Sequence, residues 1–118
     1  MKFKFEELEV WKRSARLSAE IYKQLVELKD YGFKDQITRA GLSIPSNIAE
    51  GCERESSKEC MHFFSYAKGS SGELRTQIWI GMEIGYINTE IGKSWIQETR
   101  EIAAMLHSLI HNSRHRAL

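Results

Sequence analysis

Three histidines near the end of the chain have the spacing of a metal site. His107, His111 and His115 recur every four residues, so one continuous helix would carry them on one side. Two histidines in that register can hold zinc or nickel. No carboxylate or cysteine completes such a site, and a solvated helix face is the other interpretation. We therefore assign no metal and no cofactor.

The two cysteines, Cys52 and Cys60, have neither CxxC nor zinc-type spacing. No residue near them in sequence would activate a thiol, so we predict buried or inert thiols. Two unpatterned cysteines also do not suggest a disulfide framework, which favours a reducing, cytoplasmic location.

Arg39, Asn47 and Glu50 form a polar set around the only proline, Pro45. Asn47 and Glu50 lie three residues apart and so can be neighbours on a helix, whereas Arg39 lies about two turns earlier. As a catalytic set these residues lack a nucleophile and a histidine base. As a structural set they would tie their helix to a partner helix or subunit through charge-assisted hydrogen bonds. We predict an assembly motif, and not an enzyme.

Pro45 lies in the stretch 36–51, whose apolar residues otherwise keep helical spacing. Proline lacks an amide hydrogen and crowds the carbonyl of residue 41. This predicts either one kinked helix or two half-helices with Ser43 capping the second.

The elements that must position these residues are four helices. A single proline in 118 residues suits long helices and disfavours a turn-rich β fold. The predicted helices run from about Glu6 to Leu28, from about Gln36 to between Gly51 and Arg54, from about Ser57 to Tyr86, and from Asn88 or Thr89 to about Asn112. Short turns between them predict one all-α domain over 1–118, an antiparallel up-down-up-down four-helix bundle with a proline-kinked second helix and a frayed tail from about 113.

The turns and caps carry local signals. Lys29–Lys34 is the predicted first connection, with Gly32 free for a left-handed turn. Ser56 and Glu59 have the spacing of a capping box. In the third helix, small residues predict a close helix crossing; they are the run Gly69-Ser70-Ser71-Gly72 and, along the main stripe, Ala67, Gly81 and Gly85.

Two helix faces are wider than a monomer core needs. The mostly apolar arc of the first helix covers near half its circumference, which indicates either deep burial or contact with a second subunit. A flank row on the third helix could also meet another chain; it consists of Tyr66, Glu73, Gln77, Ile80 and Ile84.

Charge gives a weak signal for nucleic acid. Seventeen basic and 16 acidic residues leave a net charge of +1, unlike a dedicated nucleic-acid binder. Candidate contacts on the first helix alternate with glutamates; they are Lys12, Arg13, Arg16 and Lys23. No signal-peptide core and no run of roughly 20 apolar residues is present, so we expect no membrane contact.

Ordered motifs along nearly the whole chain resemble one protein family. They are Phe5-x-x-Leu8-x-Val10-Trp11, Gln36-Ile37-x-Arg39-Ala40, Ser43-Ile44-Pro45-Ser46-Asn47-Ile48-Ala49-Glu50-Gly51, Gly69-Ser70-x-x-Glu73-Leu74 and Gly85-Tyr86-Ile87. The chain resembles the bacterial four-helix bundle proteins encoded in intervening sequences of 23S rRNA genes. That group is similar to the accessory variability protein of diversity-generating retroelements. The resemblance implies a homopentameric barrel with a central channel and, for the retroelement relatives, binding of nucleic acid and a reverse transcriptase through basic surface.

The resulting functional hypothesis is a non-enzymatic oligomeric scaffold or accessory protein of the rRNA intervening-sequence type. Its expected partners are further copies of itself, in a homopentamer, and RNA or a reverse-transcriptase-like protein. The alternative is a protein–protein adaptor with no nucleic-acid role.

Overall fold

Four α-helices make up almost all of the protein. The computed structural model describes the backbone of residues 4–117 and the side chains of residues 4–112. A 3-10 turn at Phe5–Glu7 precedes α1 (Glu9–Gln24), α2 (Tyr31–Glu53), α3 (Ser57–Glu83) and α4 (Thr89–Ala117). No strand occurs in this described part of the chain, and the all-α four-helix prediction is confirmed.

The helices pack in a closed ring around one core. The helix α1 contacts α2, α2 contacts α3, α3 contacts α4, and α4 returns to α1. The overall dimensions, 48 × 21 × 20 Å, show helices that lie lengthwise along the molecule. Isoleucine dominates the fully buried part of α2, because one residue per turn points inward; the residues are Ile37, Ile44 and Ile48.

The first helix is shorter than predicted at both ends. Leu8 has an extended backbone (φ −75°, ψ 127°), which separates the 3-10 turn from α1. At the other end α1 stops at Gln24, although Leu25 and Leu28 continue the apolar spacing. The spacing of apolar residues could not reveal where α1 ends, because Leu25 is buried although it lies in a turn and not in the helix.

The second helix begins earlier than predicted, and the assignment of a left-handed turn to Gly32 is wrong. The Asp30 carboxylate accepts a hydrogen bond from the Phe33 amide at 3.1 Å, which caps α2 and makes Tyr31 its first residue. Gly32 therefore lies in the first helical turn. Among the described residues the glycine with a positive φ, 81°, is Gly85, just after α3.

Asp30 also joins the start of α2 to the end of α3. Its second carboxylate oxygen accepts a hydrogen bond from the Tyr86 hydroxyl at 2.8 Å, and the Tyr86 ring meets Phe33 edge-on at 5.3 Å. The Phe33 amide and the Tyr86 hydroxyl hold the pKa of Asp30 below its ordinary value.

This lowered pKa predicts an acid-dependent loss of stability. A carboxylate whose pKa is lower in the folded than in the unfolded state stabilises the fold above its unfolded pKa, and this contribution disappears as pH falls through the folded pKa. We expect wild type to melt higher than Asp30→Asn near neutral pH, and the two melting temperatures to converge below about pH 4. Thermal melts from pH 7 to pH 2 measure this difference in melting temperature. Tyr86→Phe, which keeps the ring contact with Phe33 but lacks the hydroxyl, is the control. A difference that stays constant with pH would contradict the assignment.

Helix α2 continues through Pro45 without interruption, so the interpretation as two half-helices is wrong. Ser43 does not cap a second half; its hydroxyl donates to the Ala40 carbonyl at 2.7 Å. The Asn47 amide donates to the Ser43 carbonyl at 2.8 Å, one turn back. These side-chain bonds support the helix next to the missing proline amide. A kink at Pro45 stays a prediction.

The glycines that permit close packing are only in part the predicted ones. Nothing lies within 4 Å of a methyl group built on Gly69 or Gly72, so the close crossing predicted there is wrong. Gly81 is tight, as predicted, and faces Phe33 and Ile87; Gly51, which faces the start of α3, and Gly92, which faces Met82, are tight as well. The sequence shows where a glycine lies along a helix, but the side of the helix that meets a neighbour depends on packing.

The caps of α3 and α4 follow the sequence signals. The Ser56 hydroxyl accepts from the Glu59 amide at 3.1 Å, which is one half of the predicted capping box, while the Glu59 carboxylate lies 3.7 Å from Arg54. Asn88 Oδ1 accepts from the Glu90 and Ile91 amides at 2.9 and 3.2 Å and so starts α4. The helix α3 ends at Glu83, before the predicted Tyr86, and α4 runs to Ala117, past the predicted end at Asn112.

Candidate functional site

An apolar groove lies between α1 and α2 on the outside of the bundle. It encloses about 440 Å³ and is lined mainly by small and aromatic side chains, among them Trp11, Ala15, Tyr22, Leu42 and Ala49. Tyr22 and Leu42 are 47% and 48% exposed. The broad apolar arc of α1 thus splits in two: Val10, Leu17 and Ile21 face the core, and a second part lines the groove, with Trp11, Ala15, Ser18 and Tyr22.

Pro45 explains part of the groove. Its ring lines the groove together with Leu42, Ser46 and Ala49, which share one face of α2. Pro45 itself is buried, so the ring adds apolar surface beneath the exposed rim without a polar amide.

A second surface with exposed apolar side chains lies on α3, and it also contains the exposed Glu73. The predicted flank row is on the outside of the bundle, with Tyr66 57%, Ile80 48% and Ile84 51% exposed. In the same row Gln77 has a side-chain oxygen that is buried and has no hydrogen-bond partner among the described residues. Contact of this row with another chain stays a prediction.

The polar residues of the predicted assembly motif form hydrogen bonds and ion pairs within α2 and with Arg54, its C-terminal cap. Arg39 pairs with Asp35 at 2.8 Å, and Glu50 pairs with Arg54 at 2.6 Å. Asn47 bonds to Ser43, as described above. In the described residues none of these bonds reaches another helix of the same chain, and a tie to another subunit stays a prediction. Each bond joins residues four apart, which a helix brings together by itself.

The four candidate nucleic-acid contacts on α1 do not form a free basic row. Arg13 Nε donates to Glu98 at 2.8 Å, and Arg13 Nη2 donates to Glu98 and Glu101 at 2.5 and 2.6 Å. Two carboxylates of α4 therefore already occupy this guanidinium. Lys12 lies 4.0 Å from Glu9, while Arg16 and Lys23 are exposed.

The Arg13 cluster ties α1 to α4, and sequence reasoning missed it. Hydrogen bonds donated by Arg13 and, to a smaller extent, by Gln97 hold the pKa of Glu101 below its ordinary value. Glu98 and Glu101 are three residues apart and so share a helix face, which was the available signal. Their partner is more than 80 positions away in sequence, where no local pattern points to it.

His107 and His111 lie together on α4, as the spacing predicts. Their rings are parallel, with centroids 6.1 Å apart. Lys68 of α3 places its Nζ 3.1 Å from His107 Nδ1. In the part of the chain with described side chains, no three His, Cys, Asp or Glu residues gather as a metal set. His115 lies outside that part.

Cys52 and Cys60 are both buried and free. Burial, with a smaller contribution from neighbouring Cys60, raises the pKa of Cys52 to about 12. Burial also raises the pKa of Cys60. Both therefore remain protonated at neutral pH, the less nucleophilic form.

No helix within the described residues is long and apolar enough to cross a membrane.

Comparisons with known proteins identify the family of the chain. A comparison with curated proteins finds no match. Among solved structures, the chain is similar to a crystal structure from Bacteroides thetaiotaomicron described as a protein of unknown function from the S23 ribosomal protein family. The two are 28% identical with a TM-score of 0.80, over 86% of this chain and 97% of the other. The family model for the 23S rRNA-intervening sequence protein matches residues 6–108. Because this match spans most of the chain, the protein belongs to the 23S rRNA-intervening sequence protein family.

Proposed function

We propose that the protein is a non-enzymatic helical scaffold that assembles with further copies of itself. The observation that carries this proposal is the presence of two exposed apolar surfaces on different helices. One is the α1–α2 groove, whose rim includes Leu42; the other is the α3 flank row, which includes Ile80. Exposed apolar patches of this kind mark interaction sites in soluble proteins.

Two unlike surfaces on one chain favour head-to-tail contact. If the α3 flank row of one copy fills the α1–α2 groove of the next, the two end copies of the chain each keep one surface unfilled until a ring closes. The exposed Tyr66, Ile80 and Ile84 side chains are suited to a groove lined by alanine, leucine and aromatic rings. Five copies are the assembly that the family resemblance implies.

The absence of enzymatic activity is part of the proposal. The only two thiols are buried and protonated, and the polar residues of the motif around Pro45 are engaged in pairs within α2 and its cap. The two surfaces themselves are mainly apolar, which suits packing rather than acid–base chemistry.

Introducing a positive charge into each apolar surface tests the assembly. We expect light scattering behind size exclusion to report about five chains for wild type, and single chains for Leu42→Arg and for Ile80→Arg. Ala104→Arg, an exposed position on α4, is the control and should leave the mass unchanged.

Mixing the two variants then identifies the geometry. Leu42→Arg retains an intact α3 row, and Ile80→Arg retains an intact groove, so a head-to-tail contact predicts a heterodimer in the mixture. Dimers of each variant alone, with no heterodimer on mixing, would mean that each surface pairs with the same surface of another copy. A wild-type monomer at micromolar concentration would contradict the whole proposal.

A protein–protein adaptor without nucleic acid is the second candidate function. The observation that favours it is the capture of Arg13 by two glutamates, which removes one of four basic side chains from the α1 surface. An anisotropy titration with RNA at low salt tests this, because electrostatic binding is strongest there. Absence of binding would support the adaptor.

A further inference from the structure

The seam between α3 and α4 carries a cleft that the assembly surfaces do not use. It encloses about 280 Å³ and is lined by Ser65, Lys68, His107, Ile110 and His111. None of these residues is acidic, and all except Ile110 are exposed. The cleft therefore presents an ammonium group, two imidazoles and a hydroxyl to solvent.

The hydrogen bond between Lys68 and His107 fixes what this cleft can bind. An ammonium group has no acceptor, so Lys68 donates to His107 Nδ1, and the His107 proton then lies on Nε2. Lys68 retains further N–H donors, and His107 presents a donor as well. This arrangement suits an anionic oxygen, whereas a metal ion would need unprotonated ring nitrogens.

The cleft is part of a longer stripe along the seam. One face of α3 carries five residues at intervals of three and four: Ser65, Lys68, Gly72, Arg75 and Trp79. Arg75 confirms that this face meets α4, because its guanidinium donates to Thr99 Oγ1 at 2.9 Å and to the Thr99 carbonyl at 3.3 Å.

The α4 side of the seam is also basic. Arg100 lies two helical turns before His107, and Lys93 lies two turns before Arg100, so the three share a face with His111. This face begins next to an acidic residue, Glu90, which lies one turn before Lys93. On α3 the run ends at Glu83, one turn beyond Trp79.

Two features favour a chain over a small ligand. Sites for small molecules bury most of the ligand surface, whereas this cleft is open and its polar residues are exposed. The stripe from Ser65 to Trp79 is about 21 Å long, enough for several nucleotides. A methyl group built on Gly72 would have nothing within 4 Å, so the middle of the seam leaves the helix backbone open to approach.

We propose that the α3–α4 seam binds single-stranded nucleic acid, with Lys68, Arg100 and His107 contacting phosphates and Trp79 stacking on a base. Trp79 is 49% exposed, and cations combined with an exposed aromatic ring form the usual platform for single strands. The proposal needs no ring, although a ring would repeat the seam and add avidity.

A charge-matched pair of variants tests the seam. Lys68→Gln removes one positive charge from it, and Lys29→Gln removes one from the turn before α2, where Lys29 is also exposed. We expect anisotropy of a labelled oligouridylate to show weaker binding and a salt slope smaller by about one for Lys68→Gln, and little change for Lys29→Gln. Trp79→Ala should weaken binding on the order of tenfold for the single strand and little for a duplex of the same length.

Three outcomes would overturn the proposal. They are equal losses for the two glutamine variants, no effect of Trp79→Ala on single-strand binding, and no binding by wild type at low salt. Light scattering on the same samples separates this failure from a failure of assembly, because Lys68 and Trp79 belong to neither apolar surface.

Discussion

Replacing Gly51 with alanine is expected to lower the free energy of unfolding by about 1–3 kcal/mol. The new methyl group would lie 3.0 Å from the Cys60 carbonyl oxygen and 3.1 Å from Phe63 Cβ and Phe64 Cδ1. The first of these atoms is helix backbone, and Phe64 is fully buried, so neither can move without shifting α3. This cost exceeds the gain in helix propensity, which is at most about 1 kcal/mol.

Gly69→Ala provides the matched control for this prediction. It adds the same methyl group to α3 where nothing lies within 4 Å, so only the propensity gain remains. Chemical denaturation should therefore show Gly51→Ala less stable and Gly69→Ala more stable than wild type. Stabilisation by Gly51→Ala would mean that α2 and α3 separate easily.

Replacing Thr99 with valine is expected to cost about 1–2 kcal/mol although the shape is preserved. The Thr99 hydroxyl is fully buried, donates to the Ile96 carbonyl at 2.7 Å and accepts from Arg75 Nε. Valine removes the acceptor and leaves a part-buried guanidinium N–H without its partner. Leaving such a donor unpaired costs more than the bond itself contributes.

Thr38→Val tests whether the lost hydroxyl or the lost Arg75 partner matters. Thr38 is also buried, but its hydroxyl donates to the Lys34 carbonyl of its own helix at 2.7 Å. That carbonyl lies one turn back and accepts a backbone amide in any case. Urea midpoints should therefore change little for Thr38→Val and fall for Thr99→Val; equal shifts would assign the cost to the hydroxyl alone.

Sequence predicted well what depends on residues a few positions apart. The caps at Ser56 and Asn88 and the four-helix architecture all follow from short-range spacing, and each is present. Asp30 was missed as a cap because Gly32 suggested a turn. A single glycine in the first helical turn lowers helix stability less than the capping bond from Asp30 to the Phe33 amide raises it.

Sequence could not predict what depends on which helix faces which. The Arg13 cluster and the Lys68–His107 pair each join residues on different helices. The same limit applies to glycine, since Gly69 and Gly51 look alike in sequence while only Gly51 meets a neighbour. The same limit applies to the basic row predicted on α1. Arg13 of that row pairs with glutamates of α4, which the spacing of residues along α1 cannot reveal.

The three tryptophans occupy three different environments, so the protein carries its own optical reporters. Trp95 is 2% exposed, and its indole nitrogen has no hydrogen-bond partner among the described residues. Its emission should lie to the blue in the folded state and shift to the red on unfolding. Trp11 lines the α1–α2 groove, and half-exposed Trp79 lies on the α3–α4 seam. Variants that keep one tryptophan each would thus follow folding, self-association and nucleic-acid contact as separate signals from one unlabelled molecule.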